Sequence, residues 1–542
     1  MAKKNKVTVT FSKDSLLNFF KKLIQEPIYF FLFALYPTLS LYSQNISELF
    51  PEKILPSLIF VPTLSLVIFF LLSKLFKSKD KAALLVLLVL VLAFNYDLVK
   101  TSLPDFTFNI FGLALGANKT LVPLFGFILL FGSYLIIRKG SAKLRQPLNW
   151  LVILLLVFPL FKIFSYEVGT KRFFGLTKRE VVIESTDKLT LPKDPPDVYY
   201  FIFDRYASFQ NLKEFYNYDN KELADFLTEK GFYLAKASRD NYPATFLSVS
   251  SSLNLNYITS LVKALPKDSN DQTLVYPLMA NYKVEKDLRA LGYKYFHVGS
   301  WWNPTRANKN ADKNYVFRLS NFVNLDEFSS KLLETTIFSP IIQKLNRFDL
   351  DEPYGNFDHR NRILFGLQSL KKIPQERGGP KFVFGHILLP HAPYVLDQNC
   401  KPIRPEQTKK HSPVVNYLNH IKCANSNIKE IVNNILAQSK NSIIVIQADE
   451  GPTPILNKVS QRWDKSSLKS LKEKTGILNA YYFPDQNYKN LYQTITPVNT
   501  FRLVFNQYFG ANFKKLEDKI FIFENPTGAP YKLHDRTKEI FK

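Results

Sequence analysis

The first third of the chain is a series of long apolar runs separated by short polar stretches, and this limits the possible folds more than any other feature. Five runs stand out, at about Ile28–Tyr42, Leu55–Leu72, Ala82–Val99, Leu121–Ile137 and Leu148–Phe164. A helix that crosses a bilayer needs roughly 20 mostly apolar residues. The second, fourth and fifth runs meet that need. The first contains Pro37, which a membrane helix tolerates when neighbouring groups satisfy the freed backbone. The third has an apolar block that ends near Phe94 and is followed by Asn95, Tyr96 and Asp97. Phe106–Ala117 is too short to cross, and is expected to lie in the interface or to re-enter.

Loop charge supplies an independent argument for the same topology. The N-terminus, the second loop and the fourth loop together carry fourteen Lys and Arg: Lys3, Lys4, Lys6, Lys13, Lys21, Lys22, Lys74, Lys77, Lys79, Lys81, Arg138, Lys139, Lys143 and Arg145. The alternate loops carry three: Lys53, Lys100 and Lys119. The positive-inside rule then puts the N-terminus in the cytoplasm. Five crossings deliver everything after Phe164 to the outer side of a cell inner (cytoplasmic) membrane. No small-residue cleavage site follows the first run, so it reads as an anchor and not a signal peptide.

The chain has 542 residues, with 71 Lys plus Arg against 46 Asp plus Glu, a formal net charge of +25. Such a balance suits a nucleic-acid binder in principle. Here fourteen of the basic residues belong to membrane loops, and the rest are scattered without the aromatic interleaving expected of a single-strand binder. Nucleic acid is therefore excluded as partner, and anionic lipids or polymers fit better. Two cysteines exclude a disulfide-dense scaffold and a four-cysteine zinc site.

Residues 1–165 thus read as a five-helix transmembrane anchor, 166–194 as a basic juxtamembrane linker, and 195–542 as one extracytoplasmic domain. In the last of these, short apolar runs alternate with amphipathic stretches. Val198–Phe203, Phe382–Phe384 with Ile387–Leu389, Ser442–Ile446 and Gly476–Phe483 read as buried strands, and Lys221–Lys230 and Val414–Gln438 as helices. The alternation predicts an α/β domain with a mostly parallel sheet.

Functional groups in such sheets gather at the C-terminal ends of the strands. Asp204 and Arg205 directly follow Val198–Phe203, and Asp449 and Glu450 follow Ser442–Ile446. A hydroxyl-rich segment, Asn241–Asn254, holds Thr245, Ser248, Ser250, Ser251 and Ser252; a helix beginning after Pro243 puts Thr245 in its first turn. Unpaired N–H groups there suit an anionic substrate. A threonine hydroxyl becomes a competent nucleophile when a divalent cation lowers its pKa. Asp204, Thr245, Asp449 and Glu450 all offer oxygen, a set that favours Mn or Mg over Zn. Each also has a structural reading: Asp204 as a turn or cap, Thr245 as an N-cap, the serines as a packing face. His386 and His391 flank one apolar run; His386 reads either as a core histidine or as substrate-binding, and His391, in a Pro-bounded loop, as a group that binds a phosphate oxygen or passes a proton.

The string from Pro196 (PDVYYFIFDRYAS), with NYPATFLSVSSSLN, GHILLPHAPYVLD and IIVIQADEGP, resembles the sulfatase-like hydrolase/transferase family of bacterial membrane proteins, within the alkaline phosphatase superfamily. Relatives of lipoteichoic acid synthase and of phosphoethanolamine transferases belong to it. The closing ILNAYYFP and ITPVNTFRLVFNQYFG resemble its C-terminal part, so the likeness covers about residues 195–510. It implies an alkaline-phosphatase/sulfatase-like fold. It also implies Asp204 and Asp449 as metal ligands, Thr245 (in preference to Ser248 or Ser250) as a nucleophile that is transiently phosphorylated, and His391 as a substrate-facing group; His386 and Arg205 are further substrate-binding candidates by their place beside these residues. Two positions depart from the pattern: Arg205 stands where the family has glycine, and Glu450 where it has histidine. Glu450 either still ligates the metal or marks a weakened or lost site.

The activity implied is transfer of a phosphoglycerol or phosphoethanolamine head group from a membrane phospholipid to an envelope glycan or lipid. The alternatives are a phosphoester or sulfoester hydrolase, and a non-catalytic member that binds envelope polymers. No C/S-x-P-x-R string surrounds Thr245, which disfavours sulfatase chemistry. Cys400 and Cys423, in an oxidising compartment, are expected to form a disulfide between the loop after His391 and the Val414–Gln438 helix.

Overall fold

Apolar helices of the first unit and a twisted sheet of the second divide the chain along lines close to the sequence pattern, with one exchange between them. The structure, a computed structural model, describes residues 24–103, 107–110, 113–140, 142–170, 189–262, 265–318, 325–345, 357–403, 405–453 and 462–542. Most of the expected juxtamembrane linker, 171–188, lies outside the described residues.

The first unit comprises residues 1–173 together with 328–348. Its helices are α1 (Tyr29–Gln44), α2 (Leu55–Phe76), α3 (Lys79–Phe94), α4 (Tyr96–Ser102), α5 (Ala117–Lys139) and α6 (Arg145–Gly169). A short antiparallel hairpin, β1 (Thr107–Ile110) and β2 (Leu113–Gly116), occupies the segment expected to re-enter. Tyr29, Phe30 and Phe33 of α1 pack with Phe69, Ala82, Ala83, Val152 and Leu156 of the helices around it. Large apolar side chains such as Phe60, Leu71, Leu130, Phe158 and Phe161 point outward, as lipid-facing side chains do. Polar groups at the helix ends are paired. Asn149 accepts from the Tyr29 N–H at 2.9 Å and donates to the carbonyls of Ile24 and Glu26. Arg145 holds Asp80 through two bonds of 2.9 and 2.7 Å.

The span count differs from the expected five. Among the described residues, three stretches are long and apolar enough to cross a membrane: Pro51–Phe76, Ala117–Lys139 and Ala142–Gly169. A fourth exists if α3 and α4, bent by 41° at Asn95, form one span. The cause of that bend lies in the polar Asn95–Asp97 stretch that ends the apolar block. The first expected span is the 16-residue α1, about 24 Å at 1.5 Å per residue against a hydrocarbon core of about 30 Å.

Residues 328–348 fall inside the range the sequence assigns to the outer domain, yet they fold with the helices of the first unit. Phe328 and Leu332 complete an apolar cluster with Tyr42, Ile46, Leu49 and Ile54. The Ile337 N–H donates to the Ala93 carbonyl at 3.0 Å, and Ser329 meets Ser57 at 3.3 Å.

The second unit is built on a seven-stranded sheet in the order β4-β9-β8-β3-β7-β5-β6. The strands are β3 (Asp197–Phe203), β4 (Tyr233–Leu234), β5 (Lys294–Val298), β6 (Lys313–Tyr315), β7 (Lys381–Ile387), β8 (Ser442–Gln447) and β9 (Asn479–Tyr482). β8, β3, β7, β5 and β6 run parallel, and β9 is antiparallel to β8 and β4. The mostly parallel sheet expected from the sequence is therefore present. β3 lies at its centre and is buried on both faces, which is why its sequence is a continuous apolar run.

One face carries Tyr199, Phe201, Phe203, Val383, Ile387, Ile444 and Ile446. Helices α8 (Phe357–Lys372) and α9 (Pro413–Gln438) cover it with Ile363, Leu367, Ile421, Ile428 and Val432. The other face carries Tyr200, Phe382 and Phe384. Phe501 of α11 (Pro497–Tyr508) stands edge-on to Tyr200 at 5.1 Å, and α7 (Thr245–Leu253) packs beside α11. Between α9 and α11 in sequence, α10 (Leu468–Thr475) ends just before Gly476.

Cys400 and Cys423 are joined in a disulfide that ties the loop after His391 to α9. Closing a loop of this size stabilises by about 3 kcal/mol in the chain-entropy account. Replacing both cysteines by serine should lower stability by about 2–4 kcal/mol; urea unfolding of the detergent-solubilised chain, followed by tryptophan fluorescence, measures it.

Candidate metal centre

Strand register explains which side chains meet. Ile202 of β3 is level with His386 of β7 on one side and with Gln447 of β8 on the other. Side chains two residues apart on a strand share a face. Asp204 and Asp449, each two residues beyond that level, therefore leave the sheet on the side His386 already occupies. The result is a group in which one ligating atom from each of Asp204, His386 and Asp449 lies within 4.8 Å of the others, all three residues buried.

Neighbouring bonds fix these groups. The Asp204 N–H donates to the Ile387 carbonyl at 3.0 Å, and the Ala448 N–H to the Leu478 carbonyl at 2.9 Å. His386 Nδ1 is bonded to the Thr305 hydroxyl at 2.7 Å, which leaves Nε2 facing Asp204 Oδ2 at 3.5 Å. An outer bond of this kind is how proteins orient a metal-binding imidazole. Thr305 is itself braced: its hydroxyl meets Ser300 at 2.8 Å and its carbonyl meets His297 Nε2 at 2.8 Å. Neither Thr305 nor His297 carries a local signal of this role in the sequence.

The electrostatics describe a site short of positive charge. Burial pushes the Asp204 carboxyl up, but His391, His386 and Arg205 outweigh it and hold its pKa below the usual carboxylate range. Asp449 is pushed up to about 7 by burial and by the neighbouring charge of Asp204, with His386 opposing. Burial lowers His386, and the two aspartates more than reverse this, so its pKa is raised. Four buried atoms here have no hydrogen-bond partner: Asp204 Oδ1, both carboxylate oxygens of Asp449, and His386 Nε2. Orphaned buried polar atoms are rare, and four converging on one point suit a divalent cation. The residues present fit such an ion, with Asp204, Asp449 and His386 as its holders.

Thr245 is the first residue of α7; its N-cap is Ala244, which offers no side-chain bond, so Thr245 is not itself the cap. Its half-buried hydroxyl lies near enough to lower the Asp449 pKa, without forming a close hydrogen bond to either carboxylate oxygen. Ser250, Ser251 and Ser252 bond to the carbonyls of Val275, Asn256 and Val249, which is the packing role the sequence allowed. Ser248 is buried with its hydroxyl unpaired.

The oxygen-only ligand set expected from the sequence is corrected in one member. Glu450 lies outside the group of three. Its carboxylate meets Arg205 Nε at 2.8 Å and Lys474 Nζ at 3.1 Å. The chain bends at Asp449 and Glu450, just past the end of β8, and the two carboxylates face different neighbours. An imidazole takes the vacated role, and a mixed nitrogen and oxygen set suits Zn as well as Mn.

His391 is half-buried, its Nδ1 against the Ala392 carbonyl; burial and Arg205 lower its pKa to about 4. The loop that carries it is held from below by His420, whose Nε2 accepts from the N–H groups of Val395 and Leu396 at 2.9 and 3.1 Å. Nothing in the sequence marked His420, because its role is set by packing.

Residues 284–503 match the family model described as Sulfatase. The matched stretch includes His386, His391, Asp449 and Glu450 and begins after Asp204 and Thr245. No curated protein sequence matches the chain. Among solved structures, the chain is similar to the C-terminal periplasmic domain of EcEptC from Escherichia coli in complex with Zn, at TM-score 0.41 and 11% identity over 65% of this chain and 95% of that one. It is similar to the integral membrane lipooligosaccharide phosphoethanolamine transferase A from Neisseria meningitidis, at TM-score 0.40 and 10% identity over 89% and 95%. A putative sulfatase from Bacteroides fragilis follows at TM-score 0.37 and 14% identity over 63% and 83%. With TM-scores below 0.5, these likenesses carry no argument, and the likeness to the Sulfatase family rests on residues 284–503.

Two outcomes test the sulfatase-family site directly. Metal-free Asp449→Asn should melt at or above the metal-free wild type, because it removes a buried like charge, and should gain nothing from added Mn or Zn. The wild type should gain about 2.7 kcal/mol at a metal concentration 100 times Kd; thermal melts with and without chelator decide. Gly451→Ala should destabilise by about 1–3 kcal/mol, because its Cβ would lie 2.1 Å from the Lys474 carbonyl oxygen; the same melts measure it.

Proposed function

We propose that this protein is a membrane-anchored, metal-dependent transferase that moves a phospho-head group, of the phosphoglycerol or phosphoethanolamine type, from a lipid donor to an envelope glycan or lipid. The observation that carries the reading is the convergence of Asp204, His386 and Asp449, with four orphaned ligating atoms, beside the N-terminal hydroxyl of α7. The apolar helices of the same chain support a lipid donor, since they keep the sulfatase-family domain attached to the bilayer that contains it. The proposed placement is multi-pass in the cytoplasmic membrane, with the domain on the outer side, as the loop charges argue.

A divalent ion held by Asp204, His386 and Asp449 supplies charge neutralisation on the phosphoryl group and a lowered pKa for a nearby hydroxyl. Mn or Zn both fit the mixed donor set; Mg fits it less well, since an imidazole is a poor partner for so hard a cation. Thr245 Oγ forms a bond to phosphorus as the bond from phosphorus to the diacylglycerol oxygen breaks; the threonine proton ends on the released diacylglycerol. The acceptor hydroxyl then bonds to phosphorus, Thr245 leaves, and the acceptor's proton restores its hydroxyl. The uncapped N–H groups at the start of α7 stabilise charge on the phosphoryl oxygens. His391, beside Asp204 and Arg205, faces the donor or acceptor oxygen.

A hydrolase reading has one observation in its favour, the Sulfatase family match itself. Incubating the protein with head-group-labelled phospholipid and Mn or Zn separates the readings. Transfer predicts diacylglycerol release, label on Thr245 by mass spectrometry, and loss of at least about 100-fold in rate for Thr245→Ala, the scale of nucleophilic catalysis. Free labelled head group without an acceptor product would favour hydrolysis. Neither product, with no metal bound, would remove the catalytic reading.

A further inference from the structure

The two positions at which the sequence departs from the family pattern are in contact. Arg205 Nε donates to Glu450 Oε1 at 2.8 Å. Lys474 Nζ stands 3.1 Å from Glu450 Oε2 and donates to the Gly451 carbonyl at 3.1 Å. Both oxygens of Glu450 therefore face cations, and its side chain is 3% exposed. The departures compensate one another: an arginine enters at one strand end and the acid that pairs it enters at the next.

Arg205 also holds an unusual backbone. Its φ is +63°, in the left-handed region where glycine is at ease and a residue with Cβ is strained. The Tyr417 hydroxyl, donating to the Arg205 carbonyl at 2.9 Å and accepting from the Ala207 N–H at 3.1 Å, clamps the turn. Strain of this kind persists where the surroundings enforce it and clusters at functional sites. The Arg205 side chain remains 27% exposed. Among the described residues its two terminal nitrogens make no hydrogen bond, and its charge acts on Asp204, Asp449 and His391. A guanidinium with its Nε tied back, its side chain partly exposed and its charge acting on the aspartates of the metal centre is arranged for an oxyanion.

We propose that Arg205 binds a non-bridging phosphoryl oxygen of the substrate beside the metal centre, and that Glu450, with Lys474 behind it, is the positioning residue for Arg205 and not a metal ligand. This rests on the reading of the site as a metal-dependent phosphoryl centre, and it assigns the two departures a joint role in gripping the anion. Glu450 neutralises the excess positive charge of Arg205 and Lys474 in the empty site, so that the net attraction appears only when an anion meets the open edge of the guanidinium.

The test uses the full chain in detergent, with metal content read by mass spectrometry and inorganic phosphate binding to the Mn- or Zn-loaded protein read by calorimetry. Glu450→Gln is expected to keep one metal per chain and to weaken phosphate binding about fivefold. Arg205→Gly is expected to stay folded and keep the metal, with relief of the backbone offsetting part of the lost pairing of Glu450, and to weaken phosphate at least tenfold. Arg205→Lys should recover part of that loss. Loss of the metal from Glu450→Gln would make Glu450 a ligand and overturn the proposal. Wild-type phosphate affinity in a folded, metal-loaded Arg205→Gly would overturn it too, while leaving the metal centre standing. A wild-type protein that takes up no metal would overturn both this proposal and the functional reading beneath it.

Discussion

Two buried aspartates pressed toward one another at adjacent strand ends are the constraint around which the sheet-bearing unit is organised. Their repulsion is not relieved by hydrogen bonds, since three of their four oxygens have no partner. A fold that keeps such a pair must hold it rigidly and must offer compensating charge. The parallel sheet does the first, because β3 is central and its neighbours β7 and β8 are registered to it residue by residue. The imidazole of His386 does part of the second, and a divalent ion fits the remainder.

Around that pair the protein builds an outer layer of groups that act on one another more than on any substrate. Thr305 aims His386, and His297 steadies Thr305. Tyr417 bridges the turn after Asp204, and His420 supports the loop of His391. Apart from His297 and Thr305, which lie eight residues from one another, these bonds join residues far apart in sequence and depend on the fold being complete. Sites of this type are preorganised: the scaffold spends its stability before substrate arrives, and little rearrangement is left for the reaction.

Much of this was legible in the sequence, and the misses have physical causes. Val198–Phe203 and Ser442–Ile446 were readable because strands buried on both faces are unbroken apolar runs, and their following acids were placed correctly at the strand ends. β5 and β6 escaped because they are short, and β6, Lys313–Tyr315, is polar and exposed at the sheet edge. His386 was readable only as ambiguous: its place beside Asp204 follows from interstrand register, which no single strand encodes. Glu450 looked like a ligand because it adjoins Asp449 in sequence, but the chain bends there and its carboxylate meets Arg205 and Lys474, the latter from an amphipathic helix with no local signal. The apolar runs marked the helices of the first unit well; α1 matches its apolar run almost to the residue, and at 16 residues it is simply shorter than a straight crossing needs.

The short stretch 328–348 has a practical meaning for anyone dissecting this molecule. The polypeptide leaves the sheet-bearing unit after β6, contributes Phe328 and Leu332 to an oily cluster with Tyr42, Ile46, Leu49 and Ile54, and then returns to form α8. A water-soluble fragment made by a single cut after residue 188 would keep this excursion but lose its apolar hosts. It would then expose a sticky, unmatched helical finger. Excising the finger and rejoining the flanking chain is the route to a well-behaved soluble enzyme fragment.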